Sequence, residues 1–464
     1  MFPEQFKRRI LNQDYLDAAA LLEALGKPSP VSIRINKSKW NRKPTDTWHV
    51  PWCSSGFYLP ERPSYTMDPL FHAGCYYPQE ASGMFIEQAF LQTAGLFENL
   101  RVLDLCGAPG GKSLILSDLV GPDNLLVSNE VIRSRAAILA ETVTKWGRGN
   151  VMVTQSDPSA FGGMEAFFDA ILVDAPCSGE GMFRSEVAVR EWSPENAFMC
   201  SERQKRIIMD IWPALKDEGI LVYSTCTFNP AENEENIKWL IERNEAEVIR
   251  LNILPFPGIT EIDFQGIFGY GFYPGKVSGE GFFAAAVRKK SKNSRSLRGI
   301  RKSSAHKPSS RDIKIATGLY ALNDERIIRH GEKIIVIPCN RDEYAELSGK
   351  LKILKPGTTL ASVKNNETVP SHELALSVGI KGDVYPSREL DLNEAISFLR
   401  KDELSTKGME KGWNIVTFKG VNIGLVKDLG RRINNYYPVE WRIRQRGSYP
   451  DEPKIIEWSH QRLV

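Results

Sequence analysis

The residues of this chain best suited to chemistry stand where short apolar runs end. Cys177 closes the run FDAILVDAPC (168–177) and Cys226 closes GILVYSTC (219–226). A thiolate is a strong nucleophile, whereas a thiol packed among apolar side chains acts as a small hydrophobe. For Cys177 and Cys226, at the ends of their runs, both readings are open from position alone. Cys53, Cys75, Cys200 and Cys339 have no such setting and read as core residues. Seven cysteines without a CxxC pair support neither a disulfide framework nor zinc ligation, so no metal is expected.

A second group of residues suits a nucleotide. Cys106, Gly107, Ala108, Pro109, Gly110, Gly111 and Lys112 form a Gly-rich turn after the strand-like RVLDLC (101–106). Glycines let the backbone approach a ligand closely, and the helix that follows offers free N–H groups. Glu130 ends the next apolar run, 19 residues after Gly111, where an acid typically takes ribose hydroxyls. Asp157 and Asp174 end the third and fourth runs. The turn nearly fits a triphosphate-binding loop, but the first glycine of that loop would fall at residue 106, which is cysteine. An acid after the second run also suits a ribose better than a triphosphate.

The elements that must hold these residues follow from periodicity. RVLDLC, LLVSNE (125–130), VMVTQSD (151–157), FDAILVDAPC and GILVYSTC read as strands. Helices are predicted over Lys112–Val120, Arg133–Trp146 and Glu195–Leu215, and GFFAAAVRK (281–289) closes the unit as a buried strand. Near-continuous apolar strands alternating with helices predict an α/β fold with a parallel sheet covered on both faces. Residues 1 to about 25 suggest an amphipathic helix broken near Asn12–Asp14. Residues 31–70 read as short extended pieces, including the strand VSIRIN, and no internal repeat is present. After residue 313, EKIIVIPC and WNIVTF read as strands and LNEAISFLRK as a helix. From Arg288 to Arg311 there are ten Lys or Arg and no acid, a pattern for a solvated linker, for phosphate contact, or for both. At 464 residues with a net charge of +3, several domains are expected; no apolar run is long enough to span a membrane, and a cytoplasmic location is expected.

The segments LDLCGAPGGKS, LVDAPCSGEG, YSTCTFNPAENE and EGFFAAAVRK resemble the signatures of the Sun family of RNA cytosine-5 methyltransferases. YYPQEASGM (76–84) and SIRIN resemble the segments that precede its core. The stretch from Gly412 to Arg442 resembles the PUA-like RNA-binding tail of the RsmF type, the bacterial 16S rRNA methyltransferases. The likeness spans nearly the whole chain. In YPGKVSGEGFF, however, Gly275 stands where many relatives carry histidine.

The resemblance implies a Rossmann-like S-adenosylmethionine methyltransferase core. Residues 1–70 would form an N-terminal RNA-binding domain, 71–290 the catalytic domain and 291–312 a basic linker. A middle domain at 313–388 and a PUA-like domain at 389–464 would follow. Cys106 to Lys112 would wrap the methionine part of the cofactor, Glu130 its ribose and Asp157 its adenine, with Arg135 a further candidate. Asp174 would sit beside the reacting pair and help bind or protonate the cytosine. Carbon 5 of cytosine is a poor nucleophile until a thiolate adds to carbon 6, so covalent catalysis divides one hard step into easier ones. The resemblance gives that attack to Cys226 and product release to Cys177. A DNA cytosine methyltransferase instead carries its nucleophile in a Pro-Cys segment, which here would be Pro176-Cys177.

The implied partner is RNA, with small-subunit rRNA ahead of tRNA, and the chain is expected to act as a monomer. A ribosome assembly factor without catalysis is the alternative of a different class, and the intact cysteines and Gly-rich turn speak against it. Arg431, Arg432, Tyr436, Tyr437, Trp441, Arg442, Arg444 and Arg446 interleave base and aromatic, a mixture suited to RNA, although the rings also suit a small core.

Overall fold

The computed structural model describes residues 2–95, 100–290, 307–321, 324–365, 367–445 and 453–463. Five apolar runs form the parallel strands β1 (Arg101–Asp104), β2 (Leu125–Asn129), β3 (Val151–Thr154), β4 (Phe168–Asp174) and β5 (Leu215–Thr225). Their spatial order is β5-β4-β1-β2-β3, so the order reverses between β4 and β1. Ligands of open α/β sheets bind at such a reversal, beyond the carboxyl ends of the strands. β6 (Ala246–Ile249), β7 (Thr260–Phe264), β8 (Ile267–Phe272) and β9 (Phe282–Lys289) extend the sheet antiparallel beyond β5. β9 pairs directly with β5, with Thr225 opposite Phe283.

The expected break at Asn12–Asp14 separates two short helices, α1 (Glu4–Leu11) and α2 (Ala18–Leu25). The Asp17 side chain caps α2 by accepting from the Ala20 N–H at 3.0 Å. Both helices bury an apolar stripe on the catalytic core: Phe6, Ile10, Leu21 and Leu25 join a cluster with Phe183, Phe228 and Tyr273. Burial of each such side chain contributes about 1.5–3 kcal/mol. The sheet is further covered by α3 (Gly111–Leu119), α4 (Arg133–Trp146) and α5 (Pro194–Ile211).

Strands at Trp48–His49, Gly56–Leu59, Val31–Ile35 and Tyr76–Pro78 form a small antiparallel sheet. Its apolar side shares one core with the C-terminal unit, where Ile33, Trp40 and Tyr76 join Phe398, Val426 and Tyr437. The C-terminal strand Trp458–Arg462 pairs with Arg42–Pro44. Between the two ends of the chain, strands Ile327–His330, Lys333–Val336, Thr358–Lys364 and Glu367–Pro370 make a middle sheet. One strand of this region, β10 (Ile353–Lys355), leaves it and pairs antiparallel with the outer edge of β3. The sequence gives no hint of that edge contact, because β10 is three residues long and only partly buried. Most of the basic run, residues 291–306, lies outside the described residues. Among the described residues no helix is long and apolar enough to cross a membrane.

Candidate active site

Cys177 and Cys226 leave the sheet from neighbouring strands and meet. Ser224 of β5 lies opposite Asp174 of β4 in parallel register, so the two chains reach the carboxyl edge side by side. Two and three residues later the sulfurs are 3.2 Å apart, unbonded, and the Cys226 N–H donates to the Cys177 sulfur at 3.3 Å. The Cys177 thiol is pushed well above its ordinary range, first by its hydrogen bond with Cys226 and then by burial. It is therefore held protonated beside its partner.

Asp174 is fixed from both sides. Lys112 donates to Oδ2 at 2.9 Å and the Ser224 hydroxyl donates to Oδ1 at 2.8 Å. Burial alone would lower the Lys112 ammonium, but the charge and hydrogen bond of Asp174, together with Cys226 and Glu80, outweigh it and the net shift is upward. Lys112 therefore stays charged, and through it the Gly-rich turn is bound to the end of β4.

The turn itself is built by close approach. Gly110 has φ +126°, and a Cβ there would lie 2.6 Å from the Thr142 methyl of α4. A Cβ on Gly107 would meet the Ser113 hydroxyl at 2.8 Å. Under the turn, Asp104 is fully buried, with Oδ2 accepting from Ser113 at 2.6 Å while Oδ1 has no partner. Burial raises its carboxyl to about 7. Glu130, buried at the end of β2, accepts from the Ile132 N–H at 3.0 Å and lies 3.5 Å from Arg135. Arg135 in turn donates to the Ala108 carbonyl at 2.9 Å, joining Glu130 to the turn.

These features fit an adenosyl cofactor with a charged amino-acid end. The cradle has no room for added side chains at Gly107 and Gly110, an orphan acidic oxygen lies beneath it, and the buried Glu130 carboxylate follows the next strand. Asp157 is placed differently from the other acids. β3 ends at Thr154, short of the expected 157, and the Asp157 side chain is exposed, accepting from the Ser159 N–H and hydroxyl at 3.0 and 2.7 Å.

A cavity of about 550 Å³ runs over this edge, with Cys106, Lys112, Asp174 and Cys226 on one wall. Tyr65, Tyr77 and Arg62 line it from the N-terminal side. Cys177, Glu130, Arg135 and Asp157 do not line it, so the cavity gives onto Cys226, Asp174 and the Gly-rich turn.

Three glutamates that sequence reasoning passed over hold the site together. Glu232 is fully buried and accepts from the Ser178 N–H at 2.8 Å, from the Ser178 hydroxyl, and from Gln204 at 3.1 Å. It thus clamps the Cys177 loop to the segment that follows Cys226. Glu180, also buried, accepts from the Phe228 N–H at 3.2 Å, from Trp192 at 2.9 Å and from Arg9 of α1. Glu80 accepts from the N–H groups of Ser82, Gly83 and Glu280 at 2.8, 2.8 and 2.7 Å. All three lie inside motifs already singled out, but a charge in a motif does not reveal that it faces inward. Gly275 lies away from the cavity, at φ +98° against α2, where a Cβ would stand 3.0 Å from the Ala20 carbonyl. Of the C-terminal cluster, Tyr437 is buried, Tyr436 and Trp441 are half-buried, and Arg431, Arg432, Arg442 and Arg444 are exposed; Arg446 lies outside the described residues.

The sheet order, the Gly-rich turn at its reversal and the acids at the following strand ends define a methyltransferase with a Rossmann-like core. Three family models match in chain order: the N-terminal domain of 16S rRNA methyltransferase RsmF over residues 2–81, 16S rRNA methyltransferase RsmB/F over 93–288, and the methyltransferase RsmF PUA domain over 386–443. The chain is 31% identical to ribosomal RNA small subunit methyltransferase F of Shewanella piezotolerans, across 89% of this chain and 91% of the relative. With the Klebsiella pneumoniae protein of the same name it shares 30% identity, across 95% and 96%. The chain belongs to the ribosomal RNA small subunit methyltransferase F family. A solved methyltransferase homolog protein from Pyrococcus horikoshii is 29% identical, with a TM-score of 0.50 over 59% of this chain and 90% of that one. NSun6 of the same organism shares the fold, at 19% identity and a TM-score of 0.51 over 63% and 99%.

Proposed function

We propose that this protein transfers a methyl group from S-adenosylmethionine to carbon 5 of a cytosine in the RNA of the small ribosomal subunit. The observation that carries the proposal is the 3.2 Å approach of two unbonded sulfurs beside the Lys112–Asp174 pair, at the edge of a cavity. The cofactor, when bound, supplies an electrophilic methyl group. Cys106 to Lys112, Glu130, Arg135 and Asp157 are the residues proposed to hold it.

The Cys226 thiolate adds to carbon 6 of the ring, which places electron density on carbon 5. Carbon 5 attacks the methyl group, whose bond to the donor sulfur breaks with the electron pair staying on that sulfur. A base then takes the carbon-5 proton, and the Cys226–carbon 6 bond breaks to restore the aromatic ring and the free cysteine. Asp174, held on both oxygens, binds the cytosine edge. Cys177, kept as a thiol, is the proton-bearing group nearest the nucleophile and is proposed to act in product release. The RNA assignment rests on the names of the relatives and on the PUA-domain match.

Substitution tests the assignment of roles. Cys226→Ala should abolish both methyl transfer and covalent capture of RNA. Cys177→Ala should accumulate a protein–RNA adduct that survives a denaturing gel. The opposite pattern would make Cys177 the nucleophile and overturn the proposal. Tritiated-methyl transfer to unmodified small subunits, compared with tRNA, tests the substrate.

A further inference from the structure

A second cavity, of about 320 Å³, lies where the N-terminal, catalytic and C-terminal units meet. That volume is in the range of small-ligand sites. Its walls include Phe71, Tyr77, Ile138, Glu141, Lys145 and Trp441, so three segments far apart in sequence build it. Aromatic faces supply much of the lining. Lys145 is held between two of them, its ammonium 5.5 Å from the Phe71 ring centre and 5.4 Å from that of Trp441. It also donates to Glu141 at 2.6 Å. A cation and a carboxylate therefore stand side by side at the wall of a groove lined in large part by aromatic rings. Ile138, 50% exposed, marks its open side.

A nucleobase has the matching chemistry: flat apolar faces, and an edge with a hydrogen-bond donor next to an acceptor. Two further observations favour RNA over an apolar side chain. Tyr77 lines both this groove and the catalytic cavity, so the two spaces share a wall. Exposed Arg442 and Arg444 follow Trp441 directly and supply charge for backbone phosphates.

We infer that this groove binds a second, unstacked base of the substrate RNA while the target cytosine occupies the catalytic cavity. The inference rests on the RNA reading above and adds a distinct binding site to it. The C-terminal unit then contributes Trp441 directly to substrate positioning.

The test uses the full-length protein and small ribosomal subunits whose rRNA contains 4-thiouridine. Ile138→Trp fills the groove from its exposed side, and Lys145→Met removes the donor while keeping the stem. Ile138→Trp should raise KM for subunits roughly tenfold with kcat unchanged, and Lys145→Met should act in the same direction. In the wild type, light-induced cross-links should map to peptides containing Tyr76–Tyr77 or Trp441 and should be lost in Ile138→Trp. Unchanged KM and cross-links in both variants, or wild-type cross-links that avoid the peptides lining this groove, would overturn the inference. The cross-link needs no methylation to be read. A wild type that cross-links here yet transfers no methyl group would sink the proposed reaction and leave the groove standing.

Discussion

Glu232→Ala isolates the clamp that brings the two sulfurs together. The substitution leaves the buried Ser178 N–H and one N–H of the buried Gln204 amide without their acceptor, while the Ser178 hydroxyl keeps Thr227 at 3.0 Å. Each buried group left without a partner costs about 1–3 kcal/mol, so the lower bound for two is about 2 kcal/mol. For a domain of this size that lowers the unfolding midpoint by about 4–8 °C. The second effect falls on catalysis. Gln204 also donates to the Pro176 carbonyl at 3.0 Å, so a Gln204 side chain released from Glu232 holds the peptide before Cys177 less firmly while the one after it loses its acceptor. A displacement of about 1 Å between reacting groups costs about 10²-fold in turnover. Glu232→Gln keeps the shape and one acceptor oxygen and should lie between the variant and the wild type on both measures. Calorimetry reads the first effect and tritiated-methyl transfer at saturating RNA reads the second. A stable Glu232→Ala protein with wild-type turnover would refute the clamp. A destabilised one with wild-type turnover would refute its link to the cysteines.

Asp104 makes stability fall with rising pH, because burial raises its carboxyl from 3.8 to about 7. Below pH 4 both folded and unfolded chains carry the proton, and between pH 4 and 7 only the folded chain keeps it. Stability therefore declines across that window by about 4 kcal/mol and then levels. Asp104→Asn should lack this decline, so its stability relative to wild type should rise from pH 4 to 7 in denaturant titrations; a constant difference would refute the assignment. Truncation near residue 310 has a simple expectation from sequence, intact cofactor binding with lost RNA affinity. The structure predicts otherwise, because β10 covers the outer edge of β3 and the Lys352 N–H donates to Ser156 at 3.0 Å. The shortened protein should melt earlier and bind S-adenosylmethionine more weakly by isothermal calorimetry, and unaltered binding would contradict that.

The parallel sheet was legible because each of its strands is an apolar run bounded by a turn or a helix. Expected and observed bounds of the helix Arg133–Trp146 coincide. Strand ends were less legible: β3 stops three residues before Asp157, since Gln155 and Ser156 bond to the Lys352 segment and to Asn129 rather than continuing the ladder. The meeting of Cys177 with Cys226 could be foreseen from adjacent strand ends. The inward-facing glutamates could not, because Glu180 and Glu232 are buried on backbone N–H groups from distant loops and Glu80 joins its own loop to the Glu280 N–H, contacts that no local pattern encodes. Tyr437 shows the opposite case: a residue within a basic, RNA-like cluster is buried, its hydroxyl bonded to His72 at 3.1 Å.

The pairing of Arg42–Pro44 with Trp458–Arg462 has a consequence for biogenesis. Chains emerge from the ribosome amino end first, and their domains usually fold in that order. Here the small sheet of residues 31–78 shares its apolar side with Phe398, Val426 and Tyr437, and the neighbouring Arg42–Pro44 then waits for the far later strand Trp458–Arg462. A nascent chain of this protein must keep that surface covered by other means until Arg462 has emerged.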